Sequence, residues 1–351
     1  MTLPSVQIDL SALVANWRML GRRAQPAEAA AVVKADAYGL GAGPVATALA
    51  KAGCRRFYVA WPEEGVEVRE ALGAGPGIAV FHGPAPDTLP LFAQASLEPV
   101  LNSLDQIRLW IGAGAGPAAL HVDTGMSRLG VAEADWRAAA IAWPAPTLLV
   151  SHLACGDEPD GDVKNQSQLD ALGRASTFWP NAKRSLSATG GAYLGPRYAM
   201  DEIRPGIGLY GGGPVPATGE APLPVVTLTA PILQLREIGP GETIGYGATF
   251  TAKQRHTLAT VGIGYADGFL RAASNRGYGV VRGARRPILG RVSMDLIVLD
   301  VTGVSAAVGD EVELMGPNLP IHEQAQAMGT IDYELLTRLG RRIRRTYVGG
   351  A

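Results

Sequence analysis

The chain has 351 residues, 47% hydrophobic and 18% charged, with a formal net charge of -1. This is the composition of an ordinary soluble globular chain with room for two domains, and the near-zero charge argues against nucleic acid or an anionic membrane as partner. Cys54 and Cys155 have neither metal-ligand nor disulfide-framework spacing, and the opening residues lack the basic-then-apolar order of a secretory signal, so no bound metal and a cytoplasmic location are expected. A strand is expected over residues 6–10, then a helix over 12–22 with Ser11 as its cap. Short apolar strands recur at 30–33, 57–60, 78–81, 98–101, 118–122, 147–150, 185–187 and 203–205. Helical segments at 44–52, 62–72, 104–111, 132–142 and 163–178 fill the gaps. Strands alternating with helices read as parallel βαβ units, and eight of them close a (β/α)8 barrel; a doubly wound open sheet is the alternative. The barrel is favoured because unusual polar residues stand at the carboxyl ends of many strands: Lys34, His121 with Asp123, Ser151 with His152, Thr189, and Arg204.

Residues 30–41 are the most informative of these segments. A buried apolar strand delivers Lys34 and breaks at once into a loop carrying Gly39 and Gly41. Lysine is rarely buried without a reason, and at the edge of an apolar pocket it loses solvation as the ammonium. Its amine then becomes a nucleophile toward a carbonyl, as a covalent link to pyridoxal phosphate (PLP) requires. The other reading is a lysine that extends from a strand end into water. Two glycine-rich loops, Ser187–Gly191 and Ile203–Gly213, follow the seventh and eighth strands, where barrels often hold phosphate through backbone N–H groups.

From about Pro222 the pattern becomes strands and turns, at 225–235, 257–263, 278–281, 286–291, 296–301 and 311–315, with helices only at 321–328 and 333–339. A PLP-binding barrel over 1–221 and a mostly-β domain over 222–351 are therefore expected, with the first strand, about 5–10, a candidate to join the β domain.

The segments VVKADAYGLG, VDTGMSRLG, SHLA, IRPGIGLYG, GYGAT, GYADGFLR, GRVSMD and TIDYE occur in this order from Val32 to Glu334. Together the sequence resembles the alanine racemase family, PLP enzymes with an N-terminal barrel and a C-terminal β domain. The resemblance implies a cytoplasmic supplier of D-alanine for cell-wall peptidoglycan. It implies that Lys34 carries PLP and serves as the base for the D-enantiomer, while Tyr246 of the partner subunit is the base for the L-enantiomer. That arrangement requires a head-to-tail homodimer with shared active sites. Arg128 is implied to bind the substrate carboxylate, a task for a planar fork of donors. Arg204 is implied to face the pyridine nitrogen; an always-charged arginine disfavours protonation there and limits side reactions such as transamination. His152 is implied to hydrogen-bond to that arginine. Tyr38, Thr189, Gly206, Ile207 and Tyr333 align with phosphate contacts, Met294 with a backbone contact to substrate, and Tyr265 with Tyr333 narrows the entrance. Asp267 and Asp295 are read as turn residues without a chemical role.

Some positions depart from the family. His121 stands where many members have a carbamylated lysine whose negative charge holds the arginine, so Arg128 must be positioned by an anion or by His121 itself. Thr189 replaces a usual serine, Ser293 a frequent cysteine, and Ala188 a polar neighbour. Three other readings compete. A racemase of serine-type or broader specificity would share every motif. A decarboxylase on the same plan would lack the Arg204 and Tyr246 pattern. A non-catalytic PLP-binding barrel would have no β domain.

Overall fold

The computed structural model describes residues 3–114, 116–158, 160–214 and 220–350. Two compact units emerge: one takes residues Val14–Leu209 with Gly213–Pro222, the other the residues up to Leu13, Tyr210–Gly212 and those from Leu223 on.

In the first unit seven parallel strands pair in chain order: Ala31–Val32, Arg56–Val59, Gly77–Val80, Glu98–Leu101, Ala119–His121, Leu148–Val150 and Lys183–Ser185. An eighth, Glu202–Ile203, pairs in parallel with Glu28–Ala29. Backbone bonds from Ala30 N to Ile203 O (3.0 Å), Val32 N to Pro205 O (3.0 Å) and Arg204 N to Ser187 O (2.9 Å) tie it to both ends of the sheet. The sheet is thus curled shut as a (β/α)8 barrel. Phe57, Tyr58, Val59, Val100, Leu101, Leu120 and Leu149 are all fully buried, as strands covered on both faces require. Outside them, helices including Pro62–Leu72, Leu104–Gly112 and Asp162–Ser176 complete the βα repeat. Leu120, Leu149, Trp136, Leu172 and Trp179 belong to one apolar cluster that fixes part of this layer.

The second unit is a mostly antiparallel sheet built on the long strand Val226–Ile238. Ser5–Asp9 pairs antiparallel with it and parallel with Arg344–Val348. Glu311–Met315 lies on the same long strand, followed by the hairpin Tyr278–Val281 and Ala284–Pro287; His256–Val261 and Ile297–Asp300 extend its far end.

Several local expectations are corrected. The first helix runs Leu10–Ala24, and its cap is Asp9, whose Oδ1 accepts from Ser11 N (2.8 Å) and Ala12 N (3.0 Å). Ser11 Oγ accepts from Gly350 N instead. The segment 132–142 opens with a tighter turn, Glu133–Asp135, before the helix Trp136–Ala142. Instead of one strand over 286–291, the hairpin strand ends at Pro287 and the chain then changes partner, Ile288 N donating to Gly277 O and Leu289 N to Val298 O, each at 2.9 Å. No helix among the described residues is long and apolar enough to cross a membrane.

Candidate active site

Lys34 follows the buried strand Ala31–Val32 and is itself half-buried. The backbone beyond it is not the loop the sequence suggests. Ala35, Asp36, Ala37 and Tyr38 all lie in the left-handed helical region, with φ of 53, 52, 52 and 59°, and Gly39 and Gly41 continue at positive φ. Each L-residue there costs roughly 1–2 kcal/mol, so a full left-handed turn persists only where its surroundings fix it. Glu64 does much of this: one carboxylate oxygen accepts from Ala35 N (2.7 Å) and the other from Ala60 N (2.7 Å) and Trp61 N (3.1 Å). Asp36 closes the other end, its Oδ1 accepting from Ala42 N and its backbone carbonyl from Gly41 N. The turn places Lys34 and the buried Tyr38 four residues apart on one rigid element. Burial, then the Arg128 charge, holds the Lys34 amine below the ordinary lysine range, with Glu64 opposing.

Tyr38 packs against the loop after the eighth strand. A Cβ at Gly206 would stand 2.2 Å from Tyr38 Oη, and one at Gly208 would stand 2.6 Å from Thr189 Cγ2, so both positions require glycine. Thr189 opens the short helix Thr189–Tyr193, and its Oγ1 accepts from both Gly206 N and Gly208 N at 3.1 Å. A hydroxyl, a phenol and two amides therefore gather at one buried point of the barrel mouth. Such a set suits a phosphate. Ile207, between the two glycines, is fully buried.

Arg204 is almost completely buried and donates to Ser185 Oγ and to the Ser151 carbonyl. Burial pushes its guanidinium down, while Tyr58 and Glu202 oppose that effect. The implied hydrogen bond between His152 and Arg204 is not formed among the described residues. His152 instead feels Arg204 through its charge: burial first, then Arg204, holds the imidazole down at about 3, so the ring is neutral. Gln168 fixes the loop by donating to the His152 carbonyl (2.8 Å) and accepting from Ala154 N (2.8 Å).

Arg128 stands on a loop whose amides at Gly125, Met126 and Ser127 all point to Asp123 Oδ1. Its guanidinium is exposed and has no hydrogen-bond or ion-pair partner among the described residues. His121 makes no hydrogen bond to it there. His121 Nδ1 lies 2.8 Å from Asn102 Oδ1, and Asn102 Nδ2 donates to the carbonyls of Phe81 and Val100. The amide orientation follows from those two carbonyls, and it assigns the proton to Nδ1. Burial and the charges of Arg204 and Arg128 hold His121 at about 4, again neutral. Asn102, Glu64, Ser185 and Gln168 escaped sequence reading, since none sits in a glycine-marked motif and each acts through backbone or a neighbour.

The second unit carries the remaining candidates. Tyr246 begins the turn Tyr246–Ala248 and is 72% exposed, Met294 is 53% exposed, and Tyr265 is 44% exposed. Tyr333 is half-buried in the helix Asp332–Thr337. Tyr265 and Met294 are neighbours: Tyr265 N donates to Ser293 O (3.1 Å) and Ala266 N to Met294 O (3.0 Å).

Two family profiles cover the chain: "Alanine racemase, N-terminal domain" over residues 8–214 and "Alanine racemase, C-terminal domain" over residues 225–347. An alanine racemase of Cereibacter sphaeroides is 47% identical over 351 residues, spanning 99% of each chain. The crystal structure of alanine racemase from Bartonella henselae with covalently bound pyridoxal phosphate superposes with a TM-score of 0.93 at 38% identity, over 99% of this chain and 100% of that one. Alanine racemase from Bacillus anthracis with bound L-Ala-P gives a TM-score of 0.89 at 25% identity, over 99% and 96%. With both profiles matched and the whole length shared, the chain belongs to the alanine racemase family.

Proposed function

We propose that this protein interconverts L-alanine and D-alanine with PLP as cofactor, and that the residues above divide the work between them. The observation that carries the reading is the barrel mouth itself. There a half-buried lysine with a depressed pKa shares its rigid turn with Tyr38, which abuts the Gly206–Thr189 cradle, while the buried Arg204 lies within electrostatic reach of His152 and His152 of Lys34. These groups fit the cofactor: Lys34 would hold it covalently, Tyr38, Thr189, Tyr333 and the amides of Gly206 and Ile207 its phosphate, and Arg204 with His152 its ring nitrogen side. When bound, PLP withdraws electrons from the Cα of an attached amino acid and makes its proton removable.

The protein supplies position and proton transfer. Arg128, with no hydrogen-bond or ion-pair partner among the described residues, binds the substrate carboxylate. Lys34 Nζ exchanges the Cα proton on the face used by the D-enantiomer, and Tyr246 of the partner subunit exchanges it on the opposite face through its Oη. Tyr265 with Tyr333 restricts the room for a side chain, and Met294 meets the substrate through its backbone. A homodimer is supported by Tyr246, Met294 and Ile331, which leave 72%, 53% and 61% of their surface exposed on one unit, and a partner barrel would cover them. Cytoplasmic D-alanine for peptidoglycan is the role this activity serves.

The test is racemisation by the purified protein with added PLP, followed by chiral analysis on L-alanine and L-serine. Faster conversion of alanine supports the reading. Faster conversion of serine moves the substrate and keeps the mechanism, and a protein that binds PLP yet racemises no amino acid overturns it.

A further inference from the structure

We infer that Arg342 is a positioning residue that locks Tyr265 and Met294 into one rigid pair and so sets the side-chain size the site admits. The inference rests on the proposed substrate-facing role of those two residues. Arg342 Nε donates to Asp267 Oδ1 and Arg342 Nη2 to Asp295 Oδ1, each at 2.8 Å. Asp267 is buried, closes the short turn Tyr265–Asp267, and uses its other oxygen to accept from Gly264 N at 2.9 Å. Asp295 directly follows Met294. One planar cation therefore bridges the two loops that carry the two residues.

The loops are already in close apposition. A Cβ at Gly264 would lie 2.4 Å from both Ser293 O and Met294 O, so glycine alone permits this approach. The two backbone bonds from Tyr265 N and Ala266 N cross the same gap. Gly340 N donates to Asp267 O (2.8 Å), which delivers the segment carrying Arg342 to the pair. Two carboxylates set apart on separate loops call for the divergent donors of a guanidinium; a lysine ammonium reaches one at a time. Arg342 is about half exposed; its pair with the exposed Asp295 adds little to overall stability, whereas its pair with the buried Asp267 holds that carboxylate and its turn in place. A site that rejects one extra methylene needs its walls fixed, and such discrimination is worth about tenfold or more.

The experiment compares PLP-loaded wild type with Arg342→Met, Arg342→Lys, Asp295→Asn and the Arg342→Met/Asp295→Asn double variant. Three readouts are taken: kcat and KM for L-alanine and for L-2-aminobutyrate, cofactor absorbance, and amide hydrogen exchange over residues 262–268 and 292–296. Arg342→Met is expected to raise the preference for 2-aminobutyrate relative to alanine about tenfold, mainly by raising KM for alanine, with absorbance unchanged. Exchange should quicken in both segments together. Arg342→Lys should fall between Arg342→Met and wild type. Asp295→Asn, an exposed change that leaves the buried Asp267 paired, should move the ratio the same way by less, and the double variant should match Arg342→Met alone. An unchanged substrate ratio in both Arg342→Met and Asp295→Asn overturns the inference even if exchange quickens, and so does exchange that rises in only one segment. Wild type inactive on alanine would overturn the racemase reading and this inference with it, whereas active wild type with an unmoved ratio overturns this inference alone.

Discussion

The two proposed bases, Lys34 and Tyr246, stand in different settings. Lys34 lies in a half-buried site where desolvation and the Arg128 charge hold its amine below the ordinary lysine range, with the Glu64 charge opposing. Tyr246 is exposed on its own unit, and in the proposed homodimer the partner barrel would surround it. The two substitutions should therefore part company. Lys34→Ala is expected to abolish both turnover and the visible absorbance of bound PLP, since it removes base and anchor together. Tyr246→Phe should retain the absorbance while racemisation of L-alanine falls by about 10²–10⁴, the usual contribution of one general acid–base group. Absorbance spectra and stopped chiral assays on the same samples check both, and near-normal racemisation by Tyr246→Phe would remove the second base. Both residues are legible in the sequence: Lys34 is a charge at the end of an apolar strand, and Tyr246 sits inside a glycine-bracketed motif. Asn102 was invisible, because its role is to direct an amide oxygen at His121 while its nitrogen is held by two carbonyls, a matter of three separate strands.

At the scale of elements, the left-handed turn Ala35–Tyr38 departs furthest from what its residues prefer. Alanine is the strongest right-handed helix former, so nothing in Ala-Asp-Ala-Tyr announces a turn of the opposite hand; the sequence marks only where the strand stops. The information that fixes it lies 29 residues on, in the carboxylate of Glu64, which also caps the start of the helix Pro62–Leu72. Glu64→Ala would leave three backbone N–H groups without their acceptor. A loss of about 2–4 kcal/mol is expected in chemical denaturation, together with weaker retention of PLP on dialysis, because Lys34 and Tyr38 flank the released segment. Glu64→Gln keeps one carbonyl oxygen and should lose about half as much. If Glu64→Ala unfolds at the wild-type midpoint and retains PLP equally, the turn is held by its own packing and not by this carboxylate.

Across the whole molecule, the barrel was legible because a parallel sheet repeats one local pattern eight times, and a misplaced boundary of two residues leaves the count intact. The edge strand Arg344–Val348 was not, since it is rich in arginine and its partner Ser5–Asp9 comes from the opposite end of the chain. The same closed barrel imposes a global cost on charging its interior. His121 and His152 are neutral in the fold, held at about 4 and about 3 by burial and by Arg204, against an ordinary value near 6.5. Between those values the unfolded chain binds protons that the folded chain refuses, so their contribution to stability is complete above pH 6.5 and is lost as pH falls toward 4 and then 3. For His121 alone the loss from pH 7 to pH 5 amounts to about 2 kcal/mol. Denaturant unfolding at fixed protein and PLP concentrations should therefore show wild type losing about 2 kcal/mol more over that interval than His121→Gln, whatever the two proteins' relative stability at pH 7. Equal losses would mean that His121 is charged in the folded protein, and Asn102 would then face an imidazolium rather than fix a neutral tautomer.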